Sequence, residues 1–156
     1  MQMSENAKDK EVYILRLTRE QENIIERACE LFARLCIGQF NQIPYFLMDN
    51  RIRVDDWCRR RDDATEALRL AACIIFGRNQ YGDPDCQKTD DHMRAWEVYE
   101  VLRYHRCWND NPEGGWGVCF DKPMSLRGEP LPKCMIEKGG VIVDDGSYSH
   151  GTRQNR

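Results

Sequence analysis

This chain has three histidines in 156 residues, no C-x-x-C pair and no apolar run long enough to span a bilayer. Each absence excludes something. Without C-x-x-C the usual zinc-ribbon and thioredoxin readings fall, and without a long apolar run no transmembrane helix is expected. The polar N-terminus is no secretory signal, so a cytoplasmic location is expected. There is also no P-loop, G-x-G-x-x-G, nucleophile elbow or H-E-x-x-H. A Cys/His dyad would need His92 or His105, since His150 falls in the tail. The expectation is a protein that is not an enzyme. A formal net charge of −3 removes the global electrostatic case for nucleic acid.

Cysteine is abundant by contrast. The eight are Cys29, Cys36, Cys58, Cys73, Cys86, Cys107, Cys119 and Cys134. In a reducing compartment they stay thiols, and Cys29, Cys36 and Cys73 suit helix faces as small apolar groups. A zinc site would draw on Cys86, His92, His105 and Cys107, but His105 and Cys107 stand two apart, a poor spacing for one helix face. No metal and no cofactor is expected.

The length suits one domain. Residues 1–10 read as a disordered N-terminus, 11–146 as a single α+β domain and 147–156 as a flexible tail. Glu11 to Leu17 reads as a strand. Thr18 and Gln21 form a capping box for a helix over Arg19 to Ile43, with Gly38 a stop or a weak point and Pro44 the end. Ile24, Ala28, Leu31 and Leu35, with Ile25, Phe32 and Cys36 beside them, fall on one face and predict core packing. Asp55/Asp56 or Asp62/Asp63 cap a second helix, with Ala64, Leu68, Ala71, Ala72, Ile75 and Phe76 apolar and Gly77 at its end. Thr89 or Asp90 opens a third helix reaching about Trp108, with Met93, Ala95, Trp96, Val98, Tyr99 and Leu102 as its apolar face. Trp116 to Phe120, Lys133 to Glu137 and Val141 to Val143 read as short strands. The predicted fold is α+β: an N-terminal strand, three helices, then a small antiparallel sheet of short strands.

The segments ACELFARLCIGQFNQI, within Thr18 to Ile43, and HRCWNDNPEGGWGVCFDKP followed by GEPLPK, within Tyr104 to Lys133, resemble small proteins of unassigned function encoded by tailed phages and prophages. The resemblance covers about two thirds of the chain, and its motifs are structural. It implies an accessory gene acting in the cytoplasm of a host bacterium. Proteins of that kind bind host proteins or sequester the nucleotide messengers of bacterial immunity. It carries across no catalytic residue.

Two clusters suit binding. Arg51, Arg53, Arg59, Arg60 and Arg61 gather guanidinium groups that match phosphate or carboxylate geometry. The alternative there is a solvated face neutralised by Asp55, Asp56, Asp62 and Asp63. Arg103, His105, Trp108, Asn109, Asn111 and Trp116 surround a helix end and the Gly114–Gly115 turn, where two indoles can clamp a base. The alternative is that both indoles fill the core. The leading reading is counter-defence by stoichiometric capture of a nucleotide-like ligand, in a homo-oligomer that completes the pocket. Its ligand-binding residues are Arg59, Arg60, Arg61, Arg103, His105, Trp108, Asn109 and Trp116. One alternative is an inhibitor that binds and blocks a host bacterial protein directly. The other is a zinc-supported nucleic-acid-binding module, disfavoured by charge and spacing.

Overall fold

The computed structural model describes residues 13–47, 54–114, 121–138 and 141–143. Four α-helices dominate them: α1 (Arg19–Cys36), α2 (Ile43–Leu47), α3 (Val54–Phe76) and α4 (Asp90–Asp110). Each boundary has a local cause. Thr18 Oγ1 accepts a bond from the Gln21 amide at 3.3 Å, and the Thr18 amide donates to Gln21 Oε1 at 2.9 Å, so the capping box opens α1 as expected. Thr89 caps α4 by accepting from the His92 amide at 3.2 Å. Gly77, at φ 83°, follows α3 in the left-handed region.

The first helix is shorter than expected. It stops at Cys36, and Gly38 turns the chain at φ 75°. A Cβ at Gly38 would lie 2.9 Å from Pro84 Cβ and closer still to Cys86 Sγ, so glycine is required twice over there. A 3-10 turn over Phe40–Gln42 leads into α2. Pro44, expected as a terminator, sits in the first turn of α2, where its missing N–H costs nothing. Asp62 and Asp63 do not cap a helix but fall inside α3.

The protein is helical, and the expected α+β architecture is corrected. Tyr13 to Leu17 pair with no strand among the described residues, and their side chains are exposed. Trp116 to Phe120 lie outside the described residues, as do the tails at 1–10 and 147–156. What forms among the described residues is one strand pair, β1 (Ile136–Lys138) antiparallel to β2 (Val141–Val143), with Ile136 opposite Val143. Three-residue strands joined only to each other make no layer for helices to cover.

The centre of the molecule is the antiparallel pair of α1 and α4. Arg19 pairs with Asp110 at one end. In the middle the Arg106 guanidinium forks onto Glu26, Nε to Oε2 at 2.6 Å and Nη2 to Oε1 at 2.7 Å. At the far end His92 Nδ1 meets the Ala33 carbonyl at 2.8 Å, and Arg34 lies 5.7 Å from the Trp96 ring centre. Val101, Tyr104 and Cys107 supply the buried apolar groups of α4. The segment 121–135 closes over α4: Leu126 N donates to the buried Glu97 at 2.7 Å, and Arg127 reaches Asp90 at 3.0 Å. On the other side α2 and the 3-10 turn join α1 to α3, with Phe40 edge-on to Phe76.

Burial along the helices departs from the expected stripes. Along α1 it is Glu26 and Ala33 that are buried, whereas Ile24 stays 66% exposed and Phe32 50%. Ala28 is exposed too, and Leu31 and Leu35 are only half-covered. On α4 the apolar set around Met93, Trp96 and Tyr99 is half-buried, and the fully buried positions are His92, Glu97, Val101, Tyr104, His105 and Cys107. Ile75 of α3, expected in the core, is exposed. The α1–α4 seam therefore joins a small apolar set to ion pairs and hydrogen bonds, and many large apolar side chains of the described residues face outward. Among the described residues no helix is long and apolar enough to cross a membrane.

Candidate functional site

The expected site residues divide between two elements that share no contact among the described residues. Arg59, Arg60 and Arg61 stand in the first half of α3, where the helical turn separates Arg61 from the side that carries Arg59 and Arg60. Arg59 and Arg60 are exposed. Arg61 is half-buried: its Nη2 pairs with Asp62 Oδ1 at 2.8 Å, and its guanidinium lies 5.7 Å from the centre of the Tyr45 ring. The run thus provides two outward cations and one that packs α3 against α2. Arg51 and Arg53 lie outside the described residues.

The second cluster sits in the last two turns of α4. His105 is 2% exposed and meets Tyr104 edge-on, with ring centres 6.3 Å apart. Trp108 is half-buried and also edge-on to Tyr104, again at 6.3 Å. Arg103 lies with its guanidinium 5.2 Å from the Tyr99 ring centre. Burial, with Glu30 nearby, pushes the Tyr99 hydroxyl above its ordinary range despite that cation. Asn109 is exposed. Trp116, the other half of the expected clamp, lies outside the described residues. The aromatic groups that are described pack against one another, as core residues do.

Ligation and nucleophilic chemistry find little support among these groups. His92 is held by the Ala33 carbonyl at the start of α4, and His105 and Cys107 lie about 20 Å further along the same helix. No group of three or more histidine, cysteine, aspartate or glutamate side chains converges among the described residues. Burial pushes the Cys29, Cys36 and Cys86 thiols up, away from the nucleophilic thiolate.

The exposed face of α3 went unnoticed in the sequence. Arg59, Arg60, Asp63, Ala67, Leu70 and Ile74 are all exposed, at spacings of three and four that place them along one side of the helix. Ile74 is 83% exposed. Opposite them, Ala72 and Cys73 are buried, and Arg69 donates to the Gly82 carbonyl at 3.2 Å, which fixes that side inward. The sequence signal was there: Leu70 and Ile74 stand one turn apart, a pair that reads equally well as core.

No family model, curated protein or solved structure matches the chain. Its function must be argued from its own surfaces.

Proposed function

We propose that the protein is a non-enzymatic binding protein that acts stoichiometrically on a protein partner through the outward face of α3. The observation that carries this reading is the exposed row from Arg59 and Arg60 to Leu70 and Ile74. Arginines beside large apolar side chains are the composition of binding hot spots, where desolvated aliphatic groups supply affinity and guanidinium forks supply specificity. Asp63 and Glu66 on or near the same side add an acidic element, so the face fits a mixed-charge protein surface better than a polyanion. The resemblance to small phage proteins supplies the setting, in which the partner is a protein of the host bacterium and the outcome is its inhibition.

Capture of a nucleotide-like ligand is the second reading, favoured by the exposure of Arg59 and Arg60. Its base clamp is weakened by the packing of Trp108 on Tyr104 and the burial of His105. One comparison separates the two. Leu70→Glu with Ile74→Glu abolishes partner binding in the first reading, because a buried unpaired carboxylate is costly. That same variant leaves phosphate-ligand binding intact in the second, whereas Arg59→Ala with Arg60→Ala removes it. Normal partner binding by the Leu70/Ile74 variant overturns the proposal.

A further inference from the structure

We infer that the 77–86 loop is a rigid knob that carries Tyr81 into a concave, apolar pocket with a basic rim on the protein partner. The inference rests on the binding reading above and names the partner's complementary feature. Its starting point is how firmly an outlying loop is held. Asn79 Oδ1 accepts from the Tyr81 amide at 2.9 Å and from the Asp83 amide at 3.1 Å, while the Asn79 amide donates to the Asp83 carbonyl at 2.8 Å. The Asp85 amide closes the neck on the Gly77 carbonyl at 3.2 Å. Two anchors tie the loop to the helices. On α3, Arg69 Nη1 donates to the Gly82 carbonyl at 3.2 Å, and the same guanidinium is forked onto Glu66. Just after α1, Gly38 packs so closely on Pro84 and Cys86 that a Cβ there would overlap both.

That bonding holds out one large side chain. Tyr81 is 80% exposed, and none of the residues 77–86 is buried. Conformational entropy opposes a fixed loop, and this one covers no core in return. Its order has a use in binding. A tip already fixed loses little freedom on association, and tyrosine brings a wide contact area with only two side-chain torsions. A convex tip calls for a concave receptor, and a ring ending in a hydroxyl calls for apolar walls with a hydrogen-bonding group at their base. Charge sets the rim. The loop carries two exposed carboxylates, Asp83 and Asp85, against a single arginine, Arg78, whose Nη1 turns back onto the Gly82 carbonyl at 3.1 Å. The two acids repel nucleic-acid phosphates and favour a pocket edged by lysine or arginine. The loop begins three residues after Ile74, the last position of the α3 row, so both can engage one partner.

The probe is the protein that the wild-type chain retains from a bacterial lysate, purified and titrated against immobilised variants by biolayer interferometry. Tyr81→Ala is expected to weaken that complex about tenfold or more, through faster dissociation, and Tyr81→Phe by about threefold at most. Asn79→Ala leaves the ring in place and unties the tip. Hydrogen exchange at the Tyr81 and Asp83 amides is expected to rise in that variant, and affinity to fall about tenfold, while the helical circular dichroism stays that of the wild type. Added salt is expected to weaken the wild-type complex, and Asp83→Asn with Asp85→Asn to remove most of that dependence. A complex that survives Tyr81→Ala but is broken by Leu70→Glu with Ile74→Glu overturns the knob and spares the α3 reading. Full affinity in Asn79→Ala, or a salt dependence that the two asparagines leave unchanged, also overturns it. A wild type that retains no protein, or only a second copy of this chain, overturns both.

Discussion

Glu26 and Arg106 are the residues on which the α1–α4 seam turns. Glu26 is 5% exposed, while Arg106 keeps a third of its side chain in solvent, so removing the arginine strands a buried carboxylate. Arg106→Ala is expected to cost about 2–4 kcal/mol in urea unfolding. The double variant Glu26→Leu, Arg106→Leu should recover most of that, because two apolar groups of similar size leave no unpaired charge. A double variant as unstable as the single one would show that the fork has a further role. Glu22, one turn earlier, shows the opposite economy. Burial, and then the negative charge of Glu26, pushes its carboxyl above the ordinary range. The folded chain therefore holds that proton more tightly than the unfolded chain. The stability it contributes is full below the ordinary carboxylate pKa and is lost as pH rises through the raised one. Glu22→Gln should flatten that part of the pH–stability curve and raise the midpoint at neutral pH, as thermal unfolding across pH 4–7 would show. At Gly38, substitution by alanine forces both a positive φ and a clash with Pro84 and Cys86. A loss of about 2–3 kcal/mol is expected. A variant of unchanged midpoint would mean that the 84–86 loop moves away freely.

At the scale of elements, the three long helices were legible, while the short α2 and the buried faces were not. Thr18 with Gln21, Thr89 and Gly77 mark ends through local hydrogen bonds and local backbone geometry, which a sequence displays directly. Which side of a helix is buried depends on what else folds over it. On α4 the covering partner is the 121–135 segment, anchored by the Leu126 amide on Glu97. Nothing in the spacing of Trp96, Tyr99 and Leu102 announces a buried glutamate between them. Of the strand expected at Glu11 to Leu17, the described part from Tyr13 to Leu17 failed for a related reason: alternation describes a segment able to pair, and pairing needs a neighbour. Of the expected site, the outward Arg59 and Arg60 were readable as exposed charge. The burial of His105 and the packing of Trp108 on Tyr104 were not, since both depend on tertiary contact. Cutting the Glu97 tie should release the segment. Glu97→Ala is expected to make residues 121–135 cleavable by limited proteolysis while α1 and α4 stay protected. Equal protection of the segment in the variant would place its anchor elsewhere, with Arg127 and Asp90 the next candidates.

For the whole molecule, the described residues form a helical framework joined by a small apolar set, ion pairs and hydrogen bonds, with apolar rows outside on α1 and on α3. Surfaces of that kind are stable in water when something covers them. The α3 row is assigned to a protein partner. The most direct test is native mass spectrometry of the protein recovered from a bacterial lysate, beside the Leu70→Glu, Ile74→Glu variant. The expected result is a complex that contains a second protein species for the wild type and the protein without that species for the variant. A bound mass of a few hundred daltons, or a protein complex that survives both substitutions, would contradict it.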